Sequence, residues 1–333
     1  RLGIFTLPLV GALTLLVALL SIVFWWRKNS DFSFSYRESI VLFALILLAS
    51  TLFMLPAEHY FLLGDSAIYP NTAAVLARSG KLVFTYTPFE GLTDAQKNLF
   101  FLPVSLQPGI TERSYQGIVN GTFYLLDSAT NTVAASRPPV VIAWMGAAIL
   151  FGGVQAALWV TPVFGVLGVL ATYFWGRQVC NPRVGGLAAF WLLVSFPQIH
   201  FSRTPYAEIV GQVLLLGALY SWSAYLKKHQ LHYLFLGYGS LAAAFSARID
   251  SFLMLGTVAF LFLVLIWRRD LKGTLHNLLA LLIVVGISVA LCSWPYASAT
   301  YDLMMNHQLH FLYSLPLPGV ALVGAGVVIA VSV

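Results

Sequence analysis

Long apolar blocks alternate with short polar segments along this chain, at roughly 4–26, 39–55, 157–176, 184–198, 209–226, 231–247, 251–267, 277–295 and 318–333. A helix crossing the ~30 Å hydrocarbon core of a bilayer needs about 20 residues, or fewer when its flanks reach back to the interface. Each block therefore predicts a membrane helix, with 184–198 and 231–247 near the lower limit. Val140 to Leu150 is too short to cross and follows Pro138-Pro139, which predicts a juxtamembrane or re-entrant helix. The insertion over 56–156 has a different pattern. Ser66 to Ser79 reads as an amphipathic helix, with Ser66 as its cap, Ala67, Ala74 and Leu76 as apolar positions, and Gly80 as its stop. Phe123–Leu126 and Val133–Ala135 flank Asp127-Ser-Ala-Thr-Asn131, the pattern of a β-hairpin. The whole predicts an all-α polytopic membrane protein in three parts: two transmembrane helices in 1–55, a large loop with amphipathic and juxtamembrane helices in 56–156, and a bundle of about seven spans in 157–333.

Composition sharpens this picture. Of the 333 residues 59% are hydrophobic and 9% charged, whereas soluble domains carry about 25% charged residues. The net charge of +6 does not describe a nucleic-acid surface, because the basic residues cluster beside apolar blocks. Arg27, Lys28 and Arg37 form one cluster, Arg177 and Arg183 a second, Lys227 and Lys228 a third, and Arg268, Arg269 and Lys272 a fourth. These clusters occupy alternate loops, and the positive-inside rule assigns them to the cytoplasm. The segments 56–156, 199–208, 248–250 and 296–317 then face outward. Cys180 and Cys292 fall near opposite faces, so no disulfide or zinc framework is expected. The chain opens at Arg1 and ends within an apolar block, which reads as part of a longer protein with no cleavable signal.

The orientation gathers three carboxylates, Asp65, Glu208 and Asp250, on one side of the membrane. An ionised carboxylate beside a bilayer is costly, so such a gathering is a site hypothesis. Gly64-Asp65-Ser66-Ala67-Ile68-Tyr69 opens the large loop, Arg137-Pro138-Pro139 precedes the short helix, and Gly176-Arg177 through Arg183 forms a basic turn. Phe201-Ser202-Arg203-Thr204-Pro205-Tyr206-Ala207-Glu208 forms the second outward loop. In this order and spacing the sequence resembles the GT-C superfamily of polytopic glycosyltransferases, which includes protein O-mannosyltransferases and the aminoarabinose and oligosaccharyl transferases, over roughly 40–270. The resemblance implies a GT-C-like helix bundle, a catalytic acid at Asp65, and a second acid at Glu208 after a Ser-Arg pair. Many members have two adjacent acids at the first motif, whereas Ser66 follows Asp65 here.

The implied chemistry accounts for these residue types. The donor is a sugar on a polyprenyl phosphate, already a good leaving group, and the acceptor is a protein, lipid or glycan whose hydroxyl or amine needs a base. Asp65 is the candidate base. Glu208 can orient the acceptor or, with Asp65, hold a divalent cation such as Mg or Mn. Arg203, Arg248 and Arg137 are candidate phosphate ligands, Asp250 belongs with Arg248, and Tyr69 is a candidate to stack on a sugar. Simpler roles stand beside these. Asp65 caps a helix, Glu208 complements a helix dipole, Arg248 and Asp250 form a local ion pair, Arg203 snorkels, Tyr69 packs, and His59 and His200 are interfacial. The leading expectation is an inverting transferase in a bacterial or archaeal plasma membrane with its site facing outward. A catalytically silent subunit of a larger membrane complex and a lipid flippase or transporter are the alternatives, and membrane lipids are the surrounding partners in each.

Overall fold

The computed structural model describes residues 35–57, 65–100, 117–119 and 123–292, and the blocks 4–26 and 318–333 lie outside them. Two compact units emerge, one of residues 1–84 and 139–216, the other of 85–138 and 217–333.

The first unit is built on helix α1, Tyr36–Phe53. Ser35 caps it in a Ser-x-x-Glu box: the Ser35 hydroxyl accepts from the Glu38 N–H at 3.3 Å, and Glu38 accepts from the Ser35 N–H at 2.9 Å. Leu45, Ala49 and Phe53, four residues apart, form its buried stripe. Its other faces leave Phe43, Leu47 and Leu48 exposed, as suits a helix in lipid. Helix α2, Asp65–Ser79, begins one residue before the expected cap, so Ser66 lies inside it and is buried. Gly80 stops it, with φ +66° and its N–H donating to the Leu76 carbonyl at 2.8 Å.

Three further helices follow in this unit, α4 (Pro139–Gly152), α5 (Val160–Val179) and α6 (Pro182–Val194), of which α5 and α6 pack on α1. The label α3 is kept for Asp94–Asn98 in the other unit. Helix α4 packs along α2, and the 3₁₀ turn Val154–Trp159 joins it to α5. Val169 and Tyr173 of α5 and Ala189 and Leu193 of α6 join the α1 stripe in one core. The expected span 184–198 is broken. Helix α6 ends at Ser195, and α7, Phe196–Arg203, continues at 64° to it. Pro197 lies in the first turn of α7, the place where its fixed φ and missing N–H are tolerated.

Gly165 and Gly168 of α5 form a small-residue face. A Cβ on Gly165 would meet the Ser202 hydroxyl and Phe53, and one on Gly168 would meet Gln212. Gln198 donates to the Gly165 carbonyl at 3.4 Å. Close helix approach over glycine, with polar side chains sealed between backbones, is how helices associate where lipid removes the hydrophobic drive.

Helix α8, Glu208–Lys228, starts in the first unit and ends in the second. The second unit also holds α9 (Leu231–Phe245), α10 (Leu255–Trp267) and α11 (Leu271–Cys292). Tyr238 of α9 donates to Asn277 Oδ1 of α11 at 2.7 Å, both groups being buried. The insertion carries more strand than the single hairpin expected. Strands β1 (Val83–Thr85), β2 (Gly117–Val119), β3 (Phe123–Asp127) and β4 (Thr132–Ala135) form a sheet in the order β1-β4-β3-β2. β3 and β4 pair antiparallel through the expected turn, with a bulge between Leu125 and Asp127. Asp127 accepts from the Ala129 N–H at 3.0 Å and the Thr130 hydroxyl at 2.6 Å, and Lys97 of α3 donates to Asn131 at 2.8 Å. The Thr130 hydroxyl first, then the Ala129 N–H, holds the Asp127 carboxyl below the usual range.

Among the described residues three helices are long and apolar enough to cross a membrane, or four if α6 and α7 make one bent span, and further short apolar helices accompany them. The protein is an integral membrane protein of helix-bundle architecture.

Candidate functional site

Residues 35–57, 65–84 and 139–216 of the first unit separate its charges into two ends. At one end Arg177, in the last turn of α5, donates from Nε to Glu38 Oε1 at 2.7 Å, and Tyr173 donates to the same oxygen at 3.3 Å. Arg37 opens α1 here, and Arg183 opens α6. The other end is reached along α1. There Arg203 donates from Nε to the Leu52 carbonyl at 2.7 Å, and the Ala57 N–H donates to the Arg203 carbonyl at 3.0 Å. These two bonds tie the chain leaving α1 toward Asp65 to the loop that leads into Glu208.

Asp65 is the first residue of α2, and its side chain lies outside the described residues. Helix α2 touches the 154–159 turn, so it sits beside the start of α5, away from Arg177. Glu208 is the first residue of α8 and half-buried. A carboxylate there faces unpaired N–H groups and the positive end of the helix dipole. The end of α1 at Leu52 and Ala57 is thus bonded to Arg203, five residues before Glu208.

Other candidates are placed differently. Arg203 spends its Nε on a backbone carbonyl, so part of its role is to hold the end of α1. Tyr69, on α2, is 6% exposed, which leaves little ring for a sugar. Arg248 and Asp250 belong to the second unit and form a forked pair, with Nε–Oδ1 at 2.9 Å and Nη2–Oδ2 at 2.7 Å. That is the local ion pair weighed from sequence. Arg137, also of the second unit, is half-buried and donates weakly to the Ser136 carbonyl at 3.4 Å. His200 stacks on Phe196, ring centroids 5.9 Å apart, and His59 lies outside the described residues. Cys180 is an exposed free thiol. Among the described residues no three His, Cys, Asp or Glu side chains gather where a metal would sit.

Sequence reasoning passed over Glu38, Gln198 and Gln212, and read Ser202 only as part of the Ser-Arg pair before Glu208. Glu38 is signalled by its place in the Ser-x-x-Glu box at a basic membrane end. Gln212 is signalled as an amide within an apolar block.

Comparison with known proteins adds two findings. A family described as dolichyl-phosphate-mannose-protein mannosyltransferase matches residues 136–294. The fold matches a solved structure of the archaeal oligosaccharyltransferase AglB from Archaeoglobus fulgidus, in complex with an inhibitory peptide and a dolichol-phosphate, with a TM-score of 0.51 and 14% identity. The match covers 89% of this chain and 37% of the AglB chain, so this sequence spans well under half of that protein. No curated protein sequence matches significantly. Over residues 136–294 the chain is thus similar to that mannosyltransferase family, and its fold is similar to that of the AglB structure.

Proposed function

We propose that the protein moves a sugar from a polyprenyl-phosphate carrier to an acceptor at the extracytoplasmic face, with inversion and with Asp65 as general base. The observation that supports this is the pair of Arg203–Leu52 and Ala57–Arg203 hydrogen bonds, which hold the end of α1, where the first loop begins, to the segment that leads into Glu208. A donor whose tail stays in the bilayer offers its head at a helix end, where these loops lie. The solved relative holding a dolichol-phosphate and a peptide supports a lipid phosphate on the donor side and a polypeptide among the acceptors.

In the proposed reaction Asp65 takes the proton of the acceptor hydroxyl or amine. The freed lone pair attacks the anomeric carbon opposite the phosphate, and the bond from that carbon to the phosphate oxygen breaks. Its electron pair leaves with the polyprenyl phosphate, and Asp65 later returns the proton to water. Glu208 orients the acceptor through its half-buried carboxylate. Arg203 has guanidinium nitrogens beyond its bonded Nε to turn toward the phosphate, and the forked donor geometry suits that oxyanion. A divalent cation on Asp65 and Glu208 would offset phosphate charge, but those two carboxylates alone are a thin ligand set, and no step above passes through it. Arg137, Arg248 and Asp250 enter this proposal only as donor-side groups of the second unit. The test is Asp65→Asn in membranes given a labelled polyprenyl-linked sugar. Transfer is expected to collapse while the protein level and thermal midpoint hold, and near-wild-type transfer by the folded variant overturns the role.

A further inference from the structure

The basic end of the first unit contains a cavity of about 660 Å³ that the transfer chemistry does not use. Its lining includes Arg37 at the start of α1, Arg183 at the start of α6, and Gly186. Val41 and Leu187, 41% and 61% exposed, supply apolar lining. Glu38 also borders it, yet its carboxylate is already engaged by Arg177, Tyr173 and the Ser35 N–H. Asn181 is occupied too, accepting from the Arg183 and Val184 N–H groups as the cap of α6. Among the described residues neither the Arg37 nor the Arg183 guanidinium has a carboxylate partner. The cavity therefore presents two cations and two aliphatic walls with its one carboxylate neutralised from behind.

We infer that this cavity binds the anionic phosphate headgroup of a bilayer lipid, the phosphate bridging Arg37 and Arg183 and the first acyl carbons lying on Val41 and Leu187. Guanidinium forks match phosphate oxygens in pairs, which an ammonium cannot reproduce. The apolar walls match a glycerolipid's upper chains, which a free phosphate lacks. The binding energy comes from charge in an interfacial medium of low dielectric and is worth about fivefold in affinity per arginine. The lipid would clasp the N-termini of α1 and α6 together, adding to the Glu38–Arg177 ion pair.

The experiment titrates the detergent-solubilised protein with short-chain phosphatidylglycerol, short-chain phosphatidylcholine and inorganic phosphate, read by calorimetry. Saturable phosphatidylglycerol binding well above the other two is expected. Arg37→Gln with Arg183→Gln should weaken it about 25-fold, while Arg37→Lys with Arg183→Lys, which keeps the charges and loses the forks, should weaken it by less. Gly186→Val keeps both charges and is expected to weaken binding by crowding the lining beside Val41, which a Cβ there meets at 3.6 Å. Arg268→Gln, an exposed cation of the second unit, should change nothing. Equal affinity for inorganic phosphate assigns the cavity to the free anion and overturns the lipid. Equal affinity for phosphatidylcholine, or wild-type binding by the double glutamine variant or by Gly186→Val, overturns the site.

Discussion

The two ends of the first unit use charge in opposite ways. At the basic end a carboxylate meets a guanidinium: Glu38 and Arg177 pair at 2.7 Å with side chains 13% and 27% exposed, and a capping box and a tyrosine share the load. At the other end an arginine is spent on a backbone carbonyl, and Glu208 sits at a helix start beyond the loop that this arginine holds. The first arrangement satisfies its own charges and holds helices. The second uses a cation to position a loop and places a carboxylate where the dipole already supports its negative form.

The strongest way to break this comparison is at the catalytic candidate. Asp65→Asn is expected to cost about 10²–10⁴-fold in transfer, the usual worth of a general base, measured with a labelled lipid-linked sugar. Loss confined to the thermal midpoint would move Asp65 to the structural side. Gly165→Leu comes next. It forces a side chain into the space of Ser202 and Phe53, and overpacking of this kind costs about 1–3 kcal/mol, read from denaturation in detergent. Arg203→Gln should follow at about 1–2 kcal/mol, because the Leu52 carbonyl loses a charge-assisted donor. A donor KM raised beyond that stability loss would show the same arginine reaching the phosphate. Glu38→Gln is smaller, about 1 kcal/mol or less, since the pair lies at the interface where solvent screens it. The smallest effect belongs to Asp127. Its folded carboxyl titrates below the unfolded one, so its support of the β3–β4 turn is complete above the ordinary Asp range and is lost as pH falls through the folded value. Proton NMR of the turn amides should show that loss, and Asp127→Asn should remove the pH dependence.

Much of this fold was readable before any coordinates. Apolar block length located α1, α5 and α8 to within a few residues, because lipid allows helices little choice of state. The β3–β4 turn was readable from Asp127 and Asn131, whose side chains favour tight turns locally. The break between α6 and α7 was hidden inside an apolar block, and Pro197 was its one signal. The flanking strands of the insertion were too short to stand out, and one expected hairpin became part of a four-stranded sheet. Among the candidate residues, the Arg248–Asp250 pair was visible as neighbours two apart. The bond from Arg203 to Leu52 was not readable. It joins residues 151 apart, and no local pattern encodes a tertiary hydrogen bond.

The glycine at 165 and the serine at 202 share one parcel of space, which imposes a conservation law on this seam. Volume is free to cross from α5 to α7 but not to be added. A reciprocal exchange, Gly165→Ser with Ser202→Gly, is therefore the substitution this interface tolerates where either change alone leaves a clash or a void. Lineages carrying a larger residue at one position are expected to carry a smaller one at the other.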